Sequence, residues 1–149
     1  MQAYFNAYEE IQLYFNSDNP STYFNTRNQL IGNKFSTRLS CYLSLGVITV
    51  NEIYNFVKAY ESYYQKNKST YWIVFELIWR DFFYWHYQSN KNSYFSKNGL
   101  GPSSLKIDKL KESDTLEFKL QNHYFTRAAL KELKNTGFLS NRTRQIFAS

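Results

Sequence analysis

Three short segments carry residues whose types and spacing could do chemistry. The first is Phe35 to Ser40, where Ser36, Thr37 and Ser40 offer hydroxyls and Arg38 offers a positive fork. The run stands where a helix is expected to begin. Helix starts present free N–H groups and the positive end of the dipole, which suits phosphate. Three hydroxyls, one arginine and a helix start together suit a pyrophosphate. Capping of the helix by Ser36 or Thr37 is the plainer use of the same residues.

The second segment is a stripe. Trp72, Phe75, Glu76, Trp79, Phe83 and His86 recur at spacings of three and four, so on a helix they share one face. A carboxylate among large aromatics is costly without a partner. One reading is a pocket wall in which Glu76 and Trp79 meet a flat ligand. The other is a core stripe in which Glu76 pairs with Arg80 four residues on. The third segment is Asn141, Arg142, Arg144 and Gln145, two amides and two arginines at another helix start. These suit phosphate backbones and base edges, or a solvated basic helix end.

Little else in the chain is chemical. Cys41 is a lone cysteine, so no intrachain disulfide or cysteine-rich metal site is expected. His86 and His123 have no set of companions for a metal and are read as ordinary histidines. There is no Ser/His/Asp grouping and no glycine-rich nucleotide loop, so no catalytic residue and no metal ligand is assigned.

Helices must position these segments, because apolar residues recur at helical spacing and few runs alternate as strands do. The pattern predicts helices over Ala3 to Phe15, Thr22 to Leu30 (stopped by Gly32) and Leu39 to Leu45 (closed by Gly46). Thr49 to Glu52 reads T-V-N-E, a capping box. It opens a helix that runs to about Gln65, with Ile53, Phe56, Val57 and Tyr60 on one face. Ser69 is the expected cap of the next helix, which ends near Tyr87. That helix is apolar nearly all round and is expected to be central and the most buried. Ser89 to Ser113 reads as a long irregular loop. Thr126 to Leu133 forms a helix stopped by Gly137, and Ser140 caps a last one.

Composition bounds the class. The 149 residues match one ordinary domain, and 20% aromatics are too many for a disordered chain. The longest apolar stretch, Tyr71 to Tyr87, is broken by Glu76, Arg80 and Asp81, so no membrane span is expected. The start M-Q-A-Y-F-N has no signal-peptide core. The chain is expected to be cytoplasmic. Its net charge of +6 favours an anionic partner such as phosphate or nucleic acid, or serves solubility alone.

The order of the blocks adds a resemblance. Y-F-N-T-R-N-Q-L-I-G, F-S-T-R-L-S-C-Y-L-S-L-G, S-T-Y-W-I-V-F-E-L-I-W-R-D-F-F and K-E-L-K-N-T-G-F-L-S-N-R-T-R-Q resemble successive blocks of the FAD-binding helical domain of the photolyase/cryptochrome family. The W-x-x-F-E-L-x-W-R-D-F-F form and the S-N-R-x-R-Q ending are most similar to DASH-type cryptochromes. The resemblance covers about Tyr23 to Ser149. It implies an all-α fold holding FAD, and light-driven splitting of cyclobutane pyrimidine dimers in single-stranded DNA, or photoreception. It implies that Tyr23, Ser36, Thr37, Arg38, Leu39 and Ser40 hold the FAD phosphates, with Arg80 at the flavin side and Asn141 lining the pocket. It assigns Glu76 and Trp79 to the damaged base pair, Gln145 to the pocket mouth, and Arg27, Arg142 and Arg144 to DNA phosphates.

The same resemblance implies that residues 1–149 are a partial domain. The family's α/β antenna domain and the second half of its FAD pocket are expected to be absent, and a neighbouring chain could supply that half. The family's relay tryptophan is expected in or near Pro102 to Thr115, where no Trp stands. Its W-x-x-G-x-T-G-x-P-x-V-D run reads F-K-L-Q-N-H-Y-F-T-R here, with Phe118 for Trp and Arg127 for Asp. A helical phosphate- or nucleic-acid-binding module without catalysis, and a decayed fragment, are the other readings of these residues.

Overall fold

The structure is a computed structural model that describes residues 2–30, 35–96, 99–101 and 123–148. The expected stop at Gly32, the Pro102 to Thr115 stretch and Phe118 lie outside the described residues. Every regular element among the described residues is helical, in keeping with the all-α expectation. The elements are α1 (Gln2–Phe15), α2 (Asn19–Thr26), α3 (Ser40–Ser44), α4 (Val50–Tyr63) and α5 (Lys68–Asn90). A 3-10 turn at Lys91–Phe95 follows, and then α6 (Tyr124–Thr136) and α7 (Asn141–Ala148). The chain divides into two compact units, Met1–Tyr84 and Trp85–Ser149.

In the first unit, α1 packs on α2 and α4. Ala7, Ile11, Tyr14 and Phe15 of α1 meet Ile53, Val57 and Tyr60 of α4, and Ile73 and Leu77 of α5 join the same core. Leu39 and Ile48 close it from the α3 segment. Full burial of one such aliphatic side chain is worth about 1.5–3 kcal/mol. The α4 face is the one its spacing predicts, and the capping box forms. Thr49 Oγ1 accepts the Glu52 amide at 3.2 Å, and Glu52 Oε2 accepts the Thr49 amide at 2.7 Å.

Helix α5 differs from expectation in two ways. Its cap is Asn67 rather than Ser69. Asn67 Oδ1 accepts the amides of Ser69 and Thr70 at 2.8 and 3.1 Å, and the Asn67 amide donates to Thr70 Oγ1 at 3.2 Å. The N-x-x-T spacing from Asn67 to Thr70 carries that signal. Helix α5 is also not buried along its length. Ser69, Thr70, Ile73 and Leu77 are buried, but Ile78, Trp79, Phe82, Phe83, Tyr84 and Trp85 are exposed. Apolar residues all round a helix say only that it could be surrounded. In this structure only its first half packs into the core.

Helix α2 starts earlier than its apolar spacing suggests, because Pro20 fits the first turn, where an amide donor is not needed. Helix α4 stops at Tyr63, and the segment predicted to be a loop from Ser89 is partly the end of α5 and the 3-10 turn.

In the second unit, α6 packs against α7. Gly137 ends α6 in the left-handed conformation at φ 67°, where a side chain is strained, and its amide closes on Leu133 O at 2.8 Å. Ser140 caps α7 as expected, its Oγ accepting the Thr143 amide at 3.0 Å. The two hydroxyls of Ser140 and Thr143 also share a buried hydrogen bond at 2.7 Å.

Candidate functional site

The first unit holds an open cavity of about 470 Å³, within the range of small-molecule sites. Its walls come from α2, the 37–44 segment, α4 and α5. Leu39, Leu43, Ile53, Ile73 and Leu77 supply apolar surface. Thr37, Ser40 and Ser44 supply hydroxyls, Tyr23 a phenol, and Glu76 and Arg80 the charges. Such a mixed lining can accept a ligand with one flat apolar part and one anionic part.

The cradle segment is built differently from its sequence reading. Helix α3 has five residues, and its first position is preceded by Leu39 with no side-chain cap. Neither Ser36 nor Thr37 caps it. Thr37 Oγ1 instead accepts the Leu39 amide at 3.5 Å, bending the chain before the helix. So short a helix has too small a dipole to be the anion site expected of it. Arg38 sits at φ 55°, an unusual conformation for a residue with a side chain. Thr37, Leu39 and Ser40 line the cavity, whereas Ser36 and Arg38 are not among its lining residues.

Helix α5 supplies Glu76 and Arg80, but they do not pair as their spacing allows. Arg80 Nη2 donates to Leu43 O at 3.2 Å, and Arg80 Nη1 lies 3.6 Å from Asp81 Oδ1. That anchors the guanidinium against α3 at the cavity wall. Glu76 Oε1 accepts the Trp72 indole N–H at 3.0 Å and lies 3.7 Å from Arg27 Nε. Arg27 comes from the end of α2, and its guanidinium stands over the rings of Trp72 and Phe24, 4.5 and 5.0 Å from their centroids. Sequence reasoning sent Arg27 to a nucleic-acid backbone and gave Glu76 a different partner.

Tyr23 shares this charged corner. Burial is the main reason its phenol is pushed up to about 12, and the negative Glu76 adds to it while Arg27 opposes it. Tyr23 therefore stays a neutral donor throughout the physiological range. Trp79 lies outside the cavity lining, with its ring stacked on Phe83 at 5.6 Å and edge-on to Phe75 at 5.9 Å. The predicted stripe is thus a continuous run of rings, half-exposed rather than core.

Asn141, Arg142, Arg144 and Gln145 all stand on α7 in the second unit and are exposed. Arg144 Nε donates to Leu139 O at 3.1 Å, which steadies one of the two arginines. His86 makes a hydrogen bond through Nδ1 with the Tyr94 hydroxyl in that unit. Among the described residues no group of His, Cys, Asp and Glu could hold a metal ion. No described helix is long and apolar enough to cross a membrane.

FAD can be tested against this cavity from the donors present. The hydroxyls of Thr37, Ser40 and Ser44 and the guanidinium of Arg80 suit phosphate oxygens, and the aliphatic wall suits a ring. The Glu76 carboxylate would oppose an anion, but Arg27 beside it offsets that charge. The residues present fit a part of the cofactor.

No protein-family model matches the chain. Curated relatives do. The chain is 38% identical to cryptochrome DASH, chloroplastic/mitochondrial, of Ostreococcus tauri over 97% of its own length. It is 39% identical to cryptochrome DASH of Synechocystis sp. over 93%, and 41% identical to that of Danio rerio over 87%. These matches span 27%, 29% and 25% of those proteins, so the chain covers about a quarter to a third of its relatives. Its fold matches the crystal structure of a Synechocystis sp. PCC6803 cryptochrome with a TM-score of 0.86 at 33% identity, over 97% of this chain and 30% of that one.

Proposed function

This chain belongs to the photolyase/cryptochrome family and is similar to its DASH members, and on that premise we propose that it forms one wall of a FAD pocket and part of a DNA-binding surface. The observation that carries the reading is the shared cavity. Tyr23, Thr37, Leu39, Ser40, Glu76 and Arg80 were all singled out from sequence, and all six line it. Bound FAD would supply light absorption and electron donation, chemistry that no side chain offers. The chain's own residues bind and orient. Thr37 and Ser40 donate hydroxyl hydrogen bonds to phosphate oxygens, Arg80 adds a charged one, and the aliphatic wall excludes water from one face of the ligand. Ser36 and Arg38 stand in the same segment, outside the cavity lining.

The substrate in this reading is single-stranded DNA carrying a cyclobutane pyrimidine dimer. Glu76 and Trp79 meet the damaged bases, with Trp79 offering a ring to stack on. Arg142 and Arg144, in the second unit, meet phosphates. The exposed aromatic run of α5 supports association with a further apolar surface. Mixing the purified protein with FAD tests the reading. Saturable quenching of flavin fluorescence is expected, and an unchanged signal rejects it. A phosphate- or nucleic-acid-binding module without photochemistry is the second reading, favoured by the hydroxyl and Arg80 rim, which suits any phosphate. It predicts a shift of single-stranded DNA with no loss of dimers under light.

A further inference from the structure

Arg27 is an enclosed cation beside a pocket residue. Its side chain is 19% exposed, while that of Glu76 is 46% exposed. The guanidinium stands over both the Trp72 and the Phe24 ring. Phe24 carries Lys68 over its ring as well, 3.7 Å from the centroid. The Phe24 ring thus meets two cations and packs edge-on to Trp72 at 5.1 Å. A guanidinium engaged on rings and a carboxylate has given up much of the freedom it would need to follow a phosphate backbone.

The contacts on Glu76 are one-sided. Trp72 Nε1 and Arg27 Nε both address Oε1. An exposed glutamate on a helix otherwise samples several rotamers. A hydrogen bond and a cation on the same oxygen select one of them at the cavity wall that Glu76 lines. Trp72 supplies the hydrogen bond. Arg27 holds the Trp72 ring from above and adds the opposite charge.

We propose that Arg27 is a positioning residue that, through Trp72, sets the orientation of the Glu76 carboxylate at the cavity wall, and that its contribution to nucleic-acid binding comes through that carboxylate and not through a phosphate contact. This rests on the cavity being the ligand site, but its geometry can be tested without a ligand.

The test uses the full chain and two measurements. The first is the hydrogen-exchange rate of the Trp72 indole N–H, read by NMR in wild type, E76A, R27M and R27K. Loss of the Glu76 contact should speed exchange on the order of tenfold, as expected for a single charged hydrogen bond. The proposal expects R27M to reach the rate of E76A, R27K to fall between R27M and wild type, and backbone circular dichroism to stay unchanged. Exchange in R27M that stays at the wild-type rate, while E76A is fast, overturns it. Should R27M fail to fold, R27K alone decides by the same comparison. The second measurement is the salt dependence of single-stranded DNA binding. A lost phosphate contact lowers the slope of log affinity against log salt by about 0.7. The proposal expects R27M to bind more weakly with the slope unchanged, and a slope reduced by that amount overturns it. A wild-type chain that does not bind DNA would count against the functional reading while leaving the exchange result to judge Arg27.

Discussion

The hydroxyl of Ser69, in the first turn of α5, accepts the amide N–H of Phe24 in α2 at 3.0 Å. Ser69 is buried, so this bond has little competition from water. It sets the register between the helix that carries Tyr23 and Arg27 and the helix that carries Glu76 and Arg80. Both sides of the charged corner depend on it. Ser69→Ala is expected to lower stability by about 1 kcal/mol, measured by urea unfolding. A variant as stable as wild type would show that other packing sets the register.

The capping box gives a local test. Thr49→Ala removes the acceptor for the Glu52 amide and should cost about 1 kcal/mol, again by urea unfolding. Glu52→Gln keeps part of the reciprocal bond and should cost less. Equal losses would mean that the charge on Glu52, near the helix dipole, matters more than the hydrogen bond.

The pH response has a predicted sign at each end. Burial by itself raises the Glu61 carboxyl, but hydrogen bonds from Lys58 and Thr70, with the charges of Lys58 and Lys66, outweigh that and leave it lowered. Glu61 Oε1 accepts the Thr70 hydroxyl at 2.8 Å and Oε2 meets Lys58 Nζ at 2.8 Å. A group lowered on folding contributes stability above its unfolded value that is lost as pH falls through the folded one. Glu61→Gln should therefore flatten the acid side of a stability–pH curve. At the alkaline end Tyr23, pushed up to about 12, resists ionisation, first because it is buried. Its stabilisation is full below the ordinary tyrosine range near 10 and is lost as pH rises toward 12. Tyr23→Phe should reduce the alkaline slope, leaving the part that buried Tyr14, also raised on folding, contributes.

Nucleic-acid binding separates the arginines. Arg142→Ala and Arg144→Ala should each lower the salt slope of single-stranded DNA binding by about 0.7 if they meet phosphates. A gel-shift series in salt checks this. Affinity that does not change with salt would remove α7 from the interface.

What was legible in the sequence was local. Thr49 with Glu52, Gly137 and Ser140 act on backbone groups within a few residues, so their types and spacing reveal them. Ser69 was misassigned because Asn67 also reaches the free amides, and an exposed hydroxyl cannot be told from one bound to another helix. The site was legible as a set of residues but not as a set of pairs. Glu76 has Arg80 four positions on, yet its charged partner is Arg27, brought by the packing of α2 on α5. The burial of α5 was overestimated because apolar content says what a face could bury, while only packing decides whether a partner covers it.

The most direct test of the cavity as a flavin site is a FAD titration, read by fluorescence, of wild type, Arg80→Ala, Ser40→Trp and Arg127→Ala. Arg80 removes the charged donor at the wall, Ser40→Trp fills the space, and Arg127 lies outside the cavity lining. Saturable binding is predicted for wild type and Arg127→Ala. Arg80→Ala should weaken it roughly ten- to a hundredfold, the equivalent of about 1.5–3 kcal/mol for a charged hydrogen bond, and Ser40→Trp should abolish it. No binding by wild type, or one affinity for all four proteins, would contradict the account.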